Sequence, residues 1–360
     1  MAPLLKNLYN EAYIDLLCLN IVKYEPTFDA QGFKKSLFCD NYKQKELKER
    51  MRFIATLLGQ FLHDNYALNI QILQNTFSDM NHKYALENMI FQDFVEVYGQ
   101  NDFEISMQAL EHFTIGSSSE FAIRVFLIKS QEKTLRQMKR WALHDNYHVR
   151  RLASEGCRPR LPWAVALPNF KTDPRTILEI LELLKDDESE YVRKSVANNL
   201  NDIAKDNPDI VKQIAKEWIG FSNNRDRLIK HGCRTLLKQS DTEILKLFGL
   251  KVPQHLKIEN FNFTKEVQLG KNLEFSFEIT SNISLGKIRV EFALYFLRKN
   301  NVYNKKVFKI SEADIKEKGK QITKSYSFKA ISTRVYYKGI QKLSIIINGV
   351  VFKEVEFTLF

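Results

Sequence analysis

The 360-residue sequence predicts a multidomain α plus β protein, with a HEAT-like α-helical solenoid followed by an immunoglobulin-like β-sandwich. Up to about residue 250, apolar residues recur at helical spacing. From about residue 257 they alternate with polar residues, as in half-buried strands. A chain of this length can bury two separate cores. We therefore predict a HEAT-like repeat domain over residues 1–252 and a basic immunoglobulin-like domain over residues 253–360.

The clearest predicted helix lies between Asp145 and Trp163, in the sequence DNYHVRRLASEGCRPRLPW. Its apolar side follows the spacing i, i+3, i+4, i+7 and consists of Val149, Leu152, Ala153 and Gly156. The predicted polar side consists of Arg150, Arg151, Ser154, Glu155 and Arg158. Glu155 is thus a single carboxylate among arginines. A helix with one apolar side and one arginine-rich side indicates a surface that binds a polyanion.

This helix has a diverged copy 43 residues downstream, where Glu188–Ala197 reads ESEYVRKSVA. The side predicted to face inward consists of Val192, Ser195, Val196 and Leu200. Asp173-Pro174, an N-cap followed by proline, predicts the start of the partner helix that contains ILEILELL. A further helical pair is predicted around Ile210–Trp218 and Arg227–Lys238. Helix pairs at intervals of about 35–45 residues are typical of HEAT-like solenoids, which carry a concave binding face.

The C-terminal part has the period of β-strands. One predicted strand places Leu273, Phe275, Phe277 and Ile279 on one side, and the next does the same with Ile288, Val290, Phe292, Leu294 and Phe296. Asn348-Gly349, between two apolar runs, predicts a hairpin turn. About seven short strands favour an immunoglobulin-like sandwich, without the cysteine pair of antibody domains.

Charge is distributed unevenly along the chain. The net charge is +11, of which residues 1–250 carry +1 and residues 251–360 carry +10. Such asymmetry indicates contact with nucleic acid or another acidic surface by the C-terminal part. A lysine-rich surface that serves only solubility is the alternative.

Compartment and cofactors follow from what the sequence lacks. No apolar run approaches the roughly 18 residues of a membrane span, and the amphipathic N-terminus carries Glu11 and Asp15, unlike a secretory signal. The four cysteines are scattered singly, which favours free thiols in the cytoplasm. His144 and His148 are spaced i, i+4 but have no third ligand, so we expect no metal and no organic cofactor.

Two strings carry a family resemblance, VRRLASEGCRPRLPW at 149–163 and VRKSVANNLNDIAKDNPD at 192–209. Together with the helical repeats they resemble the bacterial DNA alkylation repair glycosylases of the AlkC/AlkD type, and the first string resembles the AlkC branch. KVFK at 306–309, TRVYYKG at 333–339 and NG at 348–349 resemble the AlkC subgroup with an immunoglobulin-like extension.

The resemblance implies an enzyme of base excision repair. It implies a monofunctional glycosylase that removes cationic bases such as 3-methyladenine, 3-methylcytosine and 1-methyladenine from double-stranded DNA, without flipping the lesion into a pocket. We further expect a monomer in the bacterial cytoplasm, at the nucleoid.

The resemblance also selects candidate catalytic residues, and each has an ordinary alternative. Glu155 matches the active-site glutamate of the family, and the alternative is a surface ion pair. Glu120 lies in SSEFAIR, which resembles a second active-site segment, but Ser117 and Glu120 also fit a capping box. Asp202 is the third candidate carboxylate, or else a solvated residue on the polar side of its helix.

Two aromatic residues are the candidate lesion contacts. Phe121 follows Glu120, and Trp163 follows Pro162 in a predicted loop. An aromatic face beside a carboxylate suits a cationic base, with a cation–π attraction of about 1–2 kcal/mol when it is desolvated. A core anchor is the alternative for Trp163.

DNA contacts are predicted in both domains, because guanidinium groups bind phosphate oxygens in pairs. The predicted set in the first domain is Arg151, Arg158, Arg160, Arg193, Lys194 and Asn198. In the second domain it is Arg334 and Lys338, in a basic and aromatic stretch that is predicted as a loop or strand end, or alternatively as a charged edge strand. A non-catalytic HEAT-repeat module that binds DNA or a protein is the rival function. It differs from a glycosylase in having no need for Glu155.

Overall fold

The computed structural model describes residues 4–39, 41–80, 82–331 and 334–360. In these residues, α-helices occupy the N-terminal part and β-strands the C-terminal part, which confirms the predicted fold class. The chain forms two compact units. One contains the residues up to Val211 together with Trp218–Gly232, and the other contains Lys212–Glu217 and Cys233–Phe360. None of the described helices has both the length and the apolar character needed to cross a membrane.

The α-helices of the described residues are Glu11–Tyr24 (α1), Ala30–Leu37 (α2), Leu47–Phe61 (α3), Tyr66–Asp79 (α4), Met89–Tyr98 (α5), Phe103–Thr114 (α6), Ile123–Lys129 (α7), Gln131–Trp141 (α8), Tyr147–Gly156 (α9), Pro168–Thr172 (α10), Arg175–Leu184 (α11), Glu190–Ile203 (α12), Pro208–Trp218 (α13), Asn223–Gly232 (α14), Arg234–Lys238 (α15) and Thr242–Leu247 (α16).

Helices of successive repeats pack side by side in the first unit. Helix α9 packs against α8, α11 and α12, and α12 packs against α14. The predicted apolar side of α9 is buried. A Cβ atom added to Gly156 would lie 2.6 Å from Ile123 Cγ2, so only glycine allows this approach of α9 to α7.

The predicted polar side of α9 is not a solvent-exposed face. Ser154 and Glu155 are buried, as is Arg158 just beyond the helix. Ser154 Oγ donates a hydrogen bond to Ser195 Oγ at 2.7 Å, and Asn199 Nδ2 donates to Ser154 O at 2.8 Å. The expectation that the arginine-rich side of α9 is exposed was therefore wrong, because α12 covers this side. It forms a polar interface between repeats.

Two predicted helix boundaries differ from the observed ones. Asp173 Oδ1 accepts a hydrogen bond from Arg175 N at 3.0 Å, but Pro174 rather than Asp173 is the N-cap, so α11 begins at Arg175, one residue later than the Asp-Pro signal predicts. The helix predicted over Arg227–Lys238 is instead two helices, since α14 ends at Gly232 and α15 begins at Arg234.

The strands of the described residues are Lys257–Phe263 (β1), Glu266–Val267 (β2), Asn272–Thr280 (β3), Gly286–Leu297 (β4), Tyr303–Ile315 (β5), Gly319–Ser327 (β6), Gly339–Ile347 (β7) and Val350–Leu359 (β8). They form a sheet in the order β1-β3-β6 and a second sheet in the order β2-β8-β7-β4-β5. All pairs are antiparallel except β2 with β8. The apolar residues predicted from the alternation in β3 and β4 form the core between the sheets.

The predicted hairpin turn also attaches a helix to the sandwich. Asn348 and Gly349 have φ values of 47° and 81° between β7 and β8, as a two-residue type I′ turn requires. Asn348 Nδ2 donates to Lys251 O at 2.8 Å, and a Cβ on Gly349 would lie 2.5 Å from Leu245 Cδ1 of α16. Helices α15 and α16 therefore belong to the same compact unit as the strands, although strand structure begins only at Lys257.

Candidate active site

Two arginines join the three candidate carboxylates into one network. Arg151 Nη1 lies 2.8 Å from Glu120 Oε2, and Arg151 Nη2 lies 3.5 Å from Glu155 Oε1. Arg158 Nη1 lies 2.6 Å from Glu155 Oε1, and Arg158 Nε lies 2.9 Å from Asp202 Oδ2. We call this alternating series, Glu120–Arg151–Glu155–Arg158–Asp202, the charge chain. It brings together side chains from three segments that lie up to 82 positions apart in the sequence.

Local helix geometry places the middle of the charge chain. Arg151 and Glu155 are four residues apart on α9, and Arg158 follows three residues after Glu155, so all three project on one side. Glu120 comes from the turn before α7, and Asp202 comes from α12 of the next repeat. The packing of α9 against α12 therefore completes the network.

Glu155 is the centre of the charge chain and is not a surface ion pair. Its side chain is 7% exposed. Oε1 accepts from Arg158, and Oε2 accepts from Ser195 Oγ at 2.7 Å. A buried carboxylate is stable only when charge and hydrogen bonds satisfy it, and both are present here. The description of Glu155 as a lone carboxylate was wrong, since Glu120 and Asp202 share its arginines.

The capping-box interpretation of Glu120 was wrong. Ser117 Oγ donates instead to Ala85 O at 2.6 Å, and α7 begins only at Ile123. The Glu120 carboxylate is free to bind Arg151, which also donates to Ser118 Oγ at 2.9 Å.

The solvated-face interpretation of Asp202 was also wrong. The Asp202 side chain is 1% exposed. Besides Arg158, it accepts from Lys205 Nζ at 2.8 Å through Oδ1. Asp202 therefore ends the charge chain inside the protein.

Trp163 lies on the surface, so the core-anchor alternative was wrong. The residue is 64% exposed and has a φ of 63°, in the left-handed region that bulky residues rarely adopt. Lys48 Nζ donates to Trp163 O at 2.7 Å and also lies 4.7 Å from the centre of the Phe121 ring. The two candidate lesion contacts thus share one ammonium group from α3.

Arg124 holds the loop on both sides of Trp163, and it was not among the residues predicted from the sequence. Arg124, on α7, is fully buried. Its Nη1 donates to Gly156 O at 3.0 Å and to Arg158 O at 2.9 Å, and its Nε donates to Val165 O at 2.6 Å. Burial lowers the pKa of Arg124 to about 10. Arg124 ends the SSEFAIR string, but its charge alone did not distinguish it from an exposed arginine.

Arg151 and Arg158 do not form an exposed phosphate-binding face. Arg158 is 8% exposed and donates to two carboxylates. Arg151 is 14% exposed and lies 4.8 Å from the centre of the Tyr191 ring. Burial lowers the pKa of Arg151, but the Glu120 and Glu155 carboxylates outweigh this effect and raise it. The prediction that Arg151 and Arg158 are phosphate ligands is not supported, because carboxylates already occupy these guanidinium groups.

The remaining predicted DNA contacts of this unit are more accessible. Arg160 is 39% exposed and forms a two-point pair with Asp206. Arg193 and Lys194 line a cavity of about 180 Å³ between α12 and α14. Arg227 lines the same cavity and was not among the predicted DNA contacts. Asn198 Oδ1 lies 3.0 Å from His231 Nε2 near this cavity.

Arg334 and Lys338 lie in a loop of the second unit, not on an edge strand. Thr333, the first residue of the TRVYYKG string, lies outside the described residues. Arg334 lies 4.6 Å from the centre of the Phe296 ring, and Lys338 is exposed.

Arg334 also lines a basic cleft that contains Arg298, Lys306 and Lys238. Burial, together with Arg334, Arg298 and Lys238, lowers the pKa of Lys306. Within the described residues no carboxylate lines this cleft, so no lining residue neutralises the like charges there.

His144, one of the two histidines spaced i, i+4, makes polar contacts within the protein. His144 Nδ1 accepts from Asn146 N at 2.9 Å, and its Nε2 lies 3.7 Å from Glu111 Oε1. In the part of the chain that the structure describes, no three His, Cys, Asp or Glu side chains are grouped as metal ligands.

Comparison with known proteins covers both parts of the chain. Residues 42–230 match the family model of the DNA alkylation repair enzymes, and residues 257–360 match the C-terminal Ig-like domain of uncharacterised protein YhaZ. Uncharacterized protein YhaZ of Bacillus subtilis (strain 168) is 43% identical over 355 residues, which is 98% of each chain. The solved structure of alkylpurine DNA glycosylase AlkC from Pseudomonas fluorescens, bound to DNA containing an abasic site analog, is similar with a TM-score of 0.94. It is 32% identical and covers 99% of this chain and 100% of its own.

Proposed function

Because the chain belongs to the DNA alkylation repair enzyme family, we propose that it is a DNA glycosylase that excises cationic alkylated bases from double-stranded DNA. The observation that carries this proposal is the charge chain together with an exposed tryptophan in the loop that follows Arg158. Glu120, Glu155 and Asp202 are paired with Arg151 and Arg158, and Trp163 is 64% exposed. The substrates would be 3-methyladenine, 3-methylcytosine and 1-methyladenine.

The departure of the alkylated base needs little catalysis by the protein. An N-alkylated base already carries positive charge, so it departs without a general acid. The sugar that remains develops oxocarbenium character, as in glycoside hydrolysis. Preorganised carboxylates stabilise that charge and orient the attacking water. Glu155 and Glu120 would supply these carboxylates, while the buried Asp202 would hold Arg158 in place, and water rather than a lysine would be the nucleophile.

The aromatic residues supply the contact with the lesion. Trp163 and Phe121 offer ring faces to a cationic base through cation–π attraction. Trp163 is 64% exposed, and this exposure favours capture of the lesion within the DNA rather than in a base pocket.

Phosphate contacts in both units would hold the duplex. In the first unit Arg160, Arg193, Lys194 and Asn198 are the candidates. In the second unit the basic cleft around Lys306 is favoured, since no carboxylate among the described residues lines it. We propose that the protein works in this way as a monomer in the cytoplasm.

A direct test is the release of bases from DNA. Purified protein is incubated with duplexes that carry 3-methyladenine, 3-methylcytosine or 1-methyladenine, and free bases are measured against the unmethylated duplex. Release from the methylated duplexes alone is expected. DNA binding without release, unchanged or strengthened by Glu155→Gln, would instead favour the non-catalytic binding module.

A further inference from the structure

Lys48 connects α3 to both aromatic residues of the candidate site. It precedes Trp163 by 115 positions, yet its Nζ donates to the Trp163 carbonyl at 2.7 Å. The same Nζ lies 4.7 Å from the centre of the Phe121 ring. An ammonium group has three donors and full charge, so it can bind a carbonyl and a ring face together.

The Trp163 backbone needs support of this kind. A bulky residue at a φ of 63° has a strained backbone, and a residue that is 64% exposed gains little from burial. Arg124 fixes carbonyls on either side of Trp163, at Arg158 and Val165. Lys48 is bound to the carbonyl of Trp163 itself.

We propose that Lys48 is a positioning residue, which holds Trp163 and Phe121 in the arrangement that captures a cationic base. The inference rests on the proposed function. Lys48 acts on the geometry of the aromatic residues and not on the sugar. Its removal is therefore expected to lower the rate of excision at saturating protein by about 10-fold, because small misplacements of binding groups are costly to rate. The affinity for DNA is expected to stay the same.

Two other roles for Lys48 make opposite predictions. If the ammonium blocks the Phe121 face and must leave before a cationic base binds, its removal speeds excision. If Lys48 is a phosphate ligand, its removal weakens DNA binding and reduces the salt slope by about 0.9, with no change in rate at saturation.

The test compares Lys48→Met with Lys48→Arg and with Lys45→Met. Lys45 is a matched control, because its Nζ lies 4.8 Å from the Phe53 ring centre in a similar contact. We expect Lys48→Met to lose about 10-fold in single-turnover rate, Lys48→Arg to recover part of it, and Lys45→Met to match the wild type. In a Trp163→Ala background Lys48→Met should have no further effect. Faster excision, weaker binding at unchanged rate, or full additivity would overturn the proposal.

A second measurement does not depend on base release. Trp141 is 1% and Trp218 is 4% exposed, so the acrylamide-accessible tryptophan emission comes from Trp163. Lys48→Met is expected to increase fast depolarisation of that emission, whereas Lys45→Met is not. Unchanged depolarisation would overturn the positioning role even if excision falls. A wild-type protein that releases no base would refute the proposed function and leave this measurement interpretable.

Discussion

Replacement of Glu155 by glutamine tests the centre of the charge chain. The change keeps the shape of the side chain and removes one negative charge between Arg151 and Arg158. A preorganised electrostatic stabiliser typically contributes about 10²–10³-fold to rate. We therefore expect Glu155→Gln to release bases at least ~10²-fold more slowly, which is about 2.7 kcal/mol of transition-state stabilisation.

The loss in the free energy of unfolding of Glu155→Gln should be smaller than its loss of transition-state stabilisation. Glu155 accepts hydrogen bonds from Arg158 and from Ser195, and glutamine has only one oxygen to replace two. One buried donor would be left without its partner at a cost of about 1–3 kcal/mol. Asp202 still binds Arg158, and the Ser195 hydroxyl can reverse to accept from the amide, so the lower end is expected.

The assay is single-turnover excision from a methylated duplex at saturating protein, with urea unfolding measured in parallel. DNA affinity should be unchanged or higher, because a negative charge is removed. Ser195→Ala is the matched control, since it removes a hydrogen bond to Glu155 and leaves the charge. It should show a similar loss of stability and less than about 10-fold loss of rate. Release within about 3-fold of wild type by Glu155→Gln would refute the catalytic role.

Three further outcomes are expected. Trp163→Ala should weaken excision of cationic bases with little change in melting temperature, because the residue is 64% exposed; a large fall in melting temperature would contradict this. Joint replacement of Arg298, Lys306 and Arg334 by glutamine should weaken DNA binding and make the salt slope shallower, by about 0.9 for each phosphate that the protein no longer neutralises, and identical slopes would exclude the cleft. Arg124→Met should lower the free energy of unfolding by about 2–4 kcal/mol in urea titration, because three carbonyl groups, two of them in buried hydrogen bonds, are deprived of their donor; a change below about 1 kcal/mol would show that water replaces the guanidinium.

The periodicity of apolar residues predicted which side of a helix or strand is buried. The apolar spacing of Val149, Leu152 and Ala153 identified the buried side of α9, and alternation in β3 identified the sandwich core. The φ values at Asn348 and Gly349 confirmed a turn that the dipeptide predicts through its tolerance of the left-handed region.

Contacts between distant segments were beyond this reasoning. Spacing shows that one side of α9 is polar, but it does not show whether another helix covers that side. Ser195 of α12 approaches Glu155 across 40 positions, and this contact changes the environment of the carboxylate from exposed to buried. Lys48 and Arg124 were missed for the same reason, since neither has a local sequence signal that distinguishes it from a solvated cation.

The backbone of Trp163 suggests a trade-off between durability and activity. Among the described residues, the other non-glycine positions with positive φ are Ser240, Asn260, Asn301 and Asn348, which are small polar residues. Glycine or asparagine at position 163 would relieve the strain, and little buried surface would be given up. A library selected for heat resistance alone is therefore expected to discard this tryptophan early, and engineering for thermostability should hold position 163 fixed.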